Sequence, residues 1–245
     1  MAINYLRKKS TAKHFHSHET SQLSCSTDGV LYVTIKNKLY IVPPNMAIFI
    51  PKHVPHKSEM QKEVTLSSLY LPDTHVKFFL NKIQLIQLTP LANLLILKIC
   101  SLEKNYFKKI EGKRLLEVLI DELKNADTIH YAEIIIPEDR KLFRAYELFR
   151  EIKEGWPSNH EVAEHLHVST RTLLRLFKKE TGMSFVIWKQ KFRFVKALEL
   201  LQRYKNTSMV ASRLGYKSDS AFITMFKKMS GGKLPKYFSC SKPPI

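Results

Sequence analysis

The chain is predicted to be an α+β protein of two domains. Residues 1–136 read as a small β-barrel with a helical segment, and residues 137–245 as an all-α domain. Three observations carry this. Short β-rich runs fill the first seventy residues, helical periodicity replaces them after Pro72-Asp73, and the last hundred residues contain an internal repeat. With 245 residues and 44% hydrophobic content, the chain has enough material for two ordinary cores.

In the first domain, Val30 to Ile35, Leu39 to Val42, Ala47 to Ile50 and Val64 to Leu71 are β-branched or aromatic runs bounded by turn residues. They predict an antiparallel barrel or sandwich. Leu80, Ile83, Leu91, Leu94, Leu95 and Ile99 then form one helical apolar set, and Leu115, Leu116, Leu119, Ile120 and Leu123 another. Two packed helices are expected, with a homodimer surface as one use of their outer faces. A break at Ile134 to Pro137 precedes a helix from Asp139 to Lys153, closed by Gly155, Trp156 and Pro157.

The repeat lies beyond that point. Val162, Ala163 and Leu166 recur 48 residues later as Val210, Ala211 and Leu214. Leu173, Phe177, Lys178, Lys179, Gly182 and Trp188 recur 49 residues later as Phe222, Phe226, Lys227, Lys228, Gly231 and Tyr237, so the second copy has one residue inserted in its turn. In the first copy, Ser158 and Glu161 have capping-box spacing and open a short helix to Leu166. His167 and Val168 make a turn, and Ser169 caps a second helix, STRTLLRLFKKE. Leu173, Leu176 and Phe177 form its inner stripe; Arg171, Leu174, Arg175 and Lys178 form the outer face.

This is the helix-turn-helix plan, whose second helix enters the DNA major groove. The two units span about 158–182 and 207–231. Residues Ser184 to Arg203 between them have helical periodicity and would span roughly 30 Å, close to the roughly 34 Å turn of B-DNA. Trp188 and Tyr237 fall on apolar stripes and are expected in the core.

Charge agrees. Lys and Arg number 40 against 22 Asp and Glu, a formal charge of +18. From Pro137 onward there are 22 basic and 10 acidic residues, a net of +12, which leaves +6 for the first 136 residues. A polyanionic partner is implied, and double-stranded DNA fits better than a membrane because no apolar run approaches the roughly 18 residues that would span one. The three cysteines, Cys25, Cys100 and Cys240, have neither disulfide-framework nor zinc-site spacing. With no apolar signal core at the N-terminus, a cytoplasmic location is expected.

The segments VAEHLHVSTRTLLRLFKKETGMSF, Arg193, Ala197, Leu200-Leu201, VASRLGYKSDSAFITMFKKMSGG and LPKYF resemble the AraC/XylS family of bacterial transcription regulators, over Pro157 to Phe238. The resemblance implies that Arg171, Leu174 and Arg175 read bases in the first unit, and Asp219, Ser220, Ile223 and Thr224 in the second. Arginine suits guanine O6/N7, and Leu174 suits a thymine methyl. Lys178, Lys217, Lys227 and Lys228 fall to phosphates. The first unit is expected to carry most of the readout, because the second has no Arg or Lys at its base-facing positions. Phe185, Leu234 and Phe238 depart from the family pattern, where proline, serine and arginine are common. Activation, with RNA polymerase as a partner, is the commoner outcome in the family.

The N-terminal half resembles the cupin-like sensor barrel that many such regulators carry. His16-x-His18, Gln22 and Gly29 follow the first cupin motif with Gln for the usual Glu, and Pro51 to His56 follow the second with His53 for the usual Gly. Alternation places His14, His16 and His18 on one strand face, and barrel closure would bring His56 and Gln22 beside them. Two readings stand: a divalent metal such as zinc or nickel, or a metal-free pocket for a small-molecule effector. A cupin metalloenzyme with a basic tail is the rival from another class, but no second carboxylate is available as acid or base. RNA binding would want an exposed aromatic platform, which the sequence lacks.

Overall fold

Alternation along one strand sets the plan of the N-terminal unit. The computed structural model describes residues 14–27, 29–60, 65–103, 106, 109–129, 132–152 and 155–230. They divide into two units between residues 132 and 133, with residues 37–39 joining the second. Strand β1 (Ser21–Ser26) is buried at every position. Leu23 and Cys25 face one side and Gln22, Ser24 and Ser26 the other, so the polar set is turned inward.

Then follow β2 (Leu31–Ile35), β3 (Lys38–Val42), β4 (Met46–Ile50), β5 (Lys57–Met60), β6 (Leu66–Leu71), the short helix α1 (Asp73–Val76) and β7 (Gln84–Gln87). Helices α2 (Pro90–Ser101) and α3 (Ile110–Lys124) and strand β8 (Thr128–Ile129) complete the unit. One antiparallel sheet has the order β6-β1-β4-β7-β8, and a second contains the neighbours β5-β2-β3. Leu23, Phe49, Leu69 and Ile86 of the first sheet pack with Leu95, Ile96 and Ile99 of α2 and Leu119, Ile120 and Leu123 of α3. Each such side chain contributes roughly 1.5–3 kcal/mol by leaving water.

The periodicity reading needs correction here. Leu80 and Ile83 are not helical: a 3-10 turn at Lys77–Phe79 ends with Leu80 and Asn81 in the left-handed region, and β7 follows. Thr89 caps α2 through the Ala92 amide, with Pro90 in the first turn. Its buried stripe is Ala92, Leu95, Ile96 and Ile99, while Leu91 and Leu94 are exposed. The helix is apolar nearly all round, so periodicity cannot choose its inner face. Strands β5 and β7 are half polar or more and carry no alternation signal.

The second unit contains β9 (Glu133–Ile135) and helices α4 (Arg140–Glu151), α5 (Asn159–His165), α6 (Thr170–Thr181), α7 (Phe185–Tyr204), α8 (Thr207–Arg213) and α9 (Asp219–Met229). Asp139 caps α4 through the amides of Lys141 and Leu142. The 20-residue α7 is the spine. Trp188, fully buried, packs with Phe149, Phe177 and Phe192, and its indole donates to the Ile135 carbonyl at 2.7 Å. Phe185, one of the departures from the family pattern, fills the same core. Farther along, Phe194, Phe222 and Phe226 form a second aromatic group. Gly231, Leu234, Tyr237 and Phe238 lie outside the described residues. Among the described residues no helix is long and apolar enough to cross a membrane.

Candidate nucleic-acid interface and histidine cluster

The sequence repeat is a structural repeat. Ser158 and Glu161 form the capping box of α5, and Ser169 caps α6 through the Thr172 amide. Asn206 and Ser218 do the same for α8 and α9. In the first turn, the amides of His167 and Val168 donate to the carbonyls of Glu164 and Ala163; in the second, Gly215 and Tyr216 donate to Ser212 and Ala211. His167 and Gly215 both have positive φ, 54° and 71°. The inserted residue is therefore Lys217, between Tyr216 and the Ser218 cap.

Arg171, Arg175 and Lys178 are exposed on α6, and Leu174 is half-buried between them. Neither arginine makes an ion pair or hydrogen bond among the described residues, so both guanidinium groups remain uncommitted. Leu173 and Phe177 are buried, and Leu176 is half-buried. On the second unit Asp219, Ser220 and Thr224 are exposed and Ile223 is half-buried. The side chains of Asp219 and Thr224 are already engaged: the Ser208 hydroxyl donates to the Asp219 carboxylate, and the Thr224 hydroxyl donates to the Ser220 carbonyl at 2.8 Å. Lys217, Lys227 and Lys228 are exposed.

The N-terminal unit brings three of the expected histidines together by a route other than a strand. His14 to His18 form no strand. A single antiparallel bridge pairs His16 with His56 through amide-carbonyl bonds of 3.0 and 2.9 Å, and the His53 amide donates to the His18 carbonyl at 2.8 Å. One nitrogen from each of His16, His18 and His56 lies within 4.8 Å of the others. His14 is not part of the group. His53, at the usual glycine position, takes a φ of 59°, the left-handed conformation that such a glycine supplies.

The nitrogens are set up as acceptors. His56 Nδ1 donates to the Val54 carbonyl at 2.9 Å, which leaves Nε2 with its lone pair. Burial lowers the His56 pKa to about 4, with His16 and His18 adding to the effect, while His18 is lowered by burial and by His16. Both rings are therefore neutral at pH 7. Gln22 commits its amide nitrogen to Ser24 and Ser68 at 2.9 and 3.3 Å. Among the described residues, the buried atoms His18 Nε2, His56 Nε2 and Gln22 Oε1 have no hydrogen-bond partner of good geometry, while the nearby Gln22 side chain partly offsets the lowering of the His18 pKa. Leaving a buried polar atom unsatisfied costs about 1–3 kcal/mol, and three in one pocket point to a ligand. Three imidazoles and a carboxamide oxygen fit a divalent d-block cation in donor type, and the neutral rings of His18 and His56 fit it in protonation state. Tyr70, opposite Gln22 on β6, packs edge-on against His18 at 4.7 Å.

In the C-terminal unit, sequence reasoning named Arg193 only as part of the family match, without a role, and missed Lys189. Lys189 and Arg193 are four residues apart on α7 and half-buried. Lys189 donates to the Pro157 carbonyl and Asn159, and Arg193 to the Leu214 carbonyl. A basic i, i+4 pair on a largely apolar helix was the available signal.

Comparison with known proteins gives two family matches: a helix-turn-helix domain at residues 162–238 and an AraC-like ligand binding domain at residues 3–132. The chain is 30% identical over 224 residues to the HTH-type transcriptional regulator NimR of Escherichia coli K12, covering 91% of this chain and 81% of that protein. It is 29% identical over 126 residues to the regulator RipA of Corynebacterium glutamicum, covering 51% and 37% respectively. Among solved structures, the C-terminal domain of AraT from Geobacillus stearothermophilus is 30% identical, with 43% of this chain and 89% of that one covered and a TM-score of 0.38. ToxT from Vibrio cholerae is 13% identical, with 97% and 96% covered and a TM-score of 0.38.

Proposed function

The chain belongs to the AraC family of DNA-binding transcription regulators, and from that premise we propose a bipartite operator reader whose occupancy is set by a ligand in the N-terminal barrel. The family consists of regulators, not enzymes, so the metalloenzyme alternative falls away. The carrying observation is the pair of matched helix-turn-helix turns joined by α7, whose 20 residues span roughly 30 Å. That length suits successive major grooves on one face of the duplex.

In this reading Arg171, Leu174 and Arg175 read bases. Asp219, Ser220, Ile223 and Thr224 lie along the second groove. Lys178, Lys217, Lys227 and Lys228 neutralise phosphates. Activation, with RNA polymerase as second partner, is the outcome we expect.

The signal enters at His16, His18, Gln22 and His56. A divalent cation such as zinc or nickel bound there would supply a positive centre that joins the segment before β1 to the loop before β5. The Nε2 atoms of His18 and His56, the Gln22 oxygen and a ring nitrogen of His16 would hold it. Binding at the barrel and binding at DNA then share a coupling free energy, and each ligand raises or lowers affinity for the other equally.

The test is selection of bound fragments from random duplex DNA, followed by affinity measurements with zinc or nickel added to the native protein and to His56→Ala. A bipartite site whose affinity changes with metal only when His56 is present supports the reading. Binding that is blind to sequence, or metal titrations that leave affinity unchanged while metal is bound, would overturn the operator and sensor parts respectively.

A further inference from the structure

We propose that Arg193, with Lys189 one turn before it, is the clamp that fixes the second helix-turn-helix unit relative to the first and so sets the spacing of the two DNA half-sites. This rests on the bipartite DNA reading above.

Each cation grips a different unit from the same helix. Lys189 Nζ donates to the Pro157 carbonyl at 2.7 Å and to Asn159 Oδ1 at 2.9 Å, at the entry to α5. Arg193 donates from Nε at 2.9 Å, and from a second guanidinium nitrogen, to the Leu214 carbonyl. Leu214 is the C-cap of α8, where orphaned carbonyls and the helix dipole favour a cation. The guanidinium also lies 3.8 Å from the Tyr216 ring centroid and 5.4 Å from that of Trp156. Tyr216 belongs to the turn of the second unit, and Trp156 to the segment leading into the first. A backbone bond from the Gly155 amide to the Arg213 carbonyl, 3.0 Å, ties the same two segments.

A further fact shows that the arrangement is held against an opposing force. Lys189 and Arg193 are like charges four residues apart on a helix, a destabilising spacing, and both are half-buried. Carbonyl and ring contacts must outweigh that repulsion. Gly215, whose φ of 71° side chains rarely adopt, adjoins the guanidinium: a Cβ there would meet Arg193 Nη2 at 3.4 Å, an ordinary van der Waals contact. A planar, delocalised group can stack on a ring and bond a carbonyl in its own plane, which lysine cannot do. Arg193 touches no DNA in this scheme; it is a positioning residue.

The experiment uses the full chain and duplexes carrying the selected site, unaltered or with one, two or five base pairs inserted between the half-sites. A rigid pair binds both halves only at the matched spacing, whereas loosened units lose effective concentration but gain tolerance. Native protein is expected to lose about tenfold or more in affinity on a one- or two-base-pair insertion, as one half-site is forfeited. Arg193→Ala should bind the parent site about tenfold more weakly and discriminate among spacings by no more than about threefold.

Arg193→Lys, which keeps the charge, should behave like the alanine variant. If Arg193 were only a phosphate anchor, lysine would restore affinity, and that result overturns the proposal. Wild-type spacing discrimination in a folded Arg193→Ala protein also overturns it. If that variant does not fold by circular dichroism, Tyr216→Leu, which removes one stacking face and keeps the Leu214 bond, is read by the same criteria. Should native protein itself bind single half-sites with no spacing preference, the bipartite reading fails first and the clamp with it; a preference that survives loosening overturns the clamp alone.

Discussion

Replacing Arg175 with alanine is expected to cost far more DNA affinity than replacing Thr224, although the two helices occupy equivalent positions in the repeat. The difference follows from what each side chain must give up. Arg175 is exposed and uncommitted, so a contact to guanine replaces only water, and a good bidentate pair contributes about 1–3 kcal/mol of discrimination. The Thr224 hydroxyl already donates to the Ser220 carbonyl at 2.8 Å. Turning it to a base exchanges one hydrogen bond, worth about 0.5–1.5 kcal/mol net, for another. Arg175→Ala should therefore weaken binding to the selected site by roughly 5- to 150-fold, taking 1.4 kcal/mol per factor of ten. Thr224→Ala should stay within about twofold. Fluorescence anisotropy on one labelled duplex at fixed salt measures both, and single base changes in each half-site show whether Arg175→Ala relaxes one position. A Thr224→Ala loss equal to that of Arg175→Ala would refute the assignment of readout to the first unit.

Phosphate contacts have a different signature. Lys178→Ala should weaken binding on all sequences alike and reduce the slope of log affinity against log salt by about 1, as read from titrations at several salt concentrations. Ser158→Ala removes the hydroxyl that accepts the Glu161 amide and should destabilise the C-terminal unit by about 1 kcal/mol in urea unfolding followed by tryptophan fluorescence. The buried thiols of Cys25 and Cys100 have pKa values raised to about 12 and about 11, chiefly by burial. Since only thiolate reacts, neither should be labelled by a disulfide reagent in native protein at pH 8, and both should react once urea exposes them. Rapid labelling of Cys25 or Cys100 in native protein at pH 8, located by peptide mass mapping to separate it from Cys240, would contradict their burial.

What was legible in the sequence is what local chemistry determines. The N-caps Ser158 and Ser169 and the capping-box Glu161 bond to amides within three residues, so their spacing alone marks helix starts. The repeat locates the second unit and one inserted residue in its turn, which the turn's hydrogen bonds identify as Lys217. By contrast, α2 is apolar around most of its circumference, and only the sheet beneath it decides that Leu94 faces out and Ile96 in. The histidines illustrate a mixed case. Motif spacing selects His16, His18 and His56, but a bridge between two irregular segments brings them together, and that pairing has no period to read.

The clamp at Arg193 lies beyond such reading for a further reason. Its partners are Trp156 on one side and Leu214 and Tyr216 on the other, and each is unremarkable in isolation. Periodicity assigns the inward-leaning positions of α7 to a packed core, where a half-buried arginine reads as an exception to be tolerated. The exception acquires meaning only when both turns of the repeat are folded against the same helix, because the repeat then holds two copies of one reading device and nothing within either copy specifies their relative angle. That angle has to come from the segment between them. On α7 the aromatic side chains supply adhesion without direction, and the two cations supply directed bonds to named carbonyls of each unit. A bipartite reader whose adhesion is apolar and whose alignment is polar should lose alignment before it loses stability. The spacing series is designed to detect that order of loss.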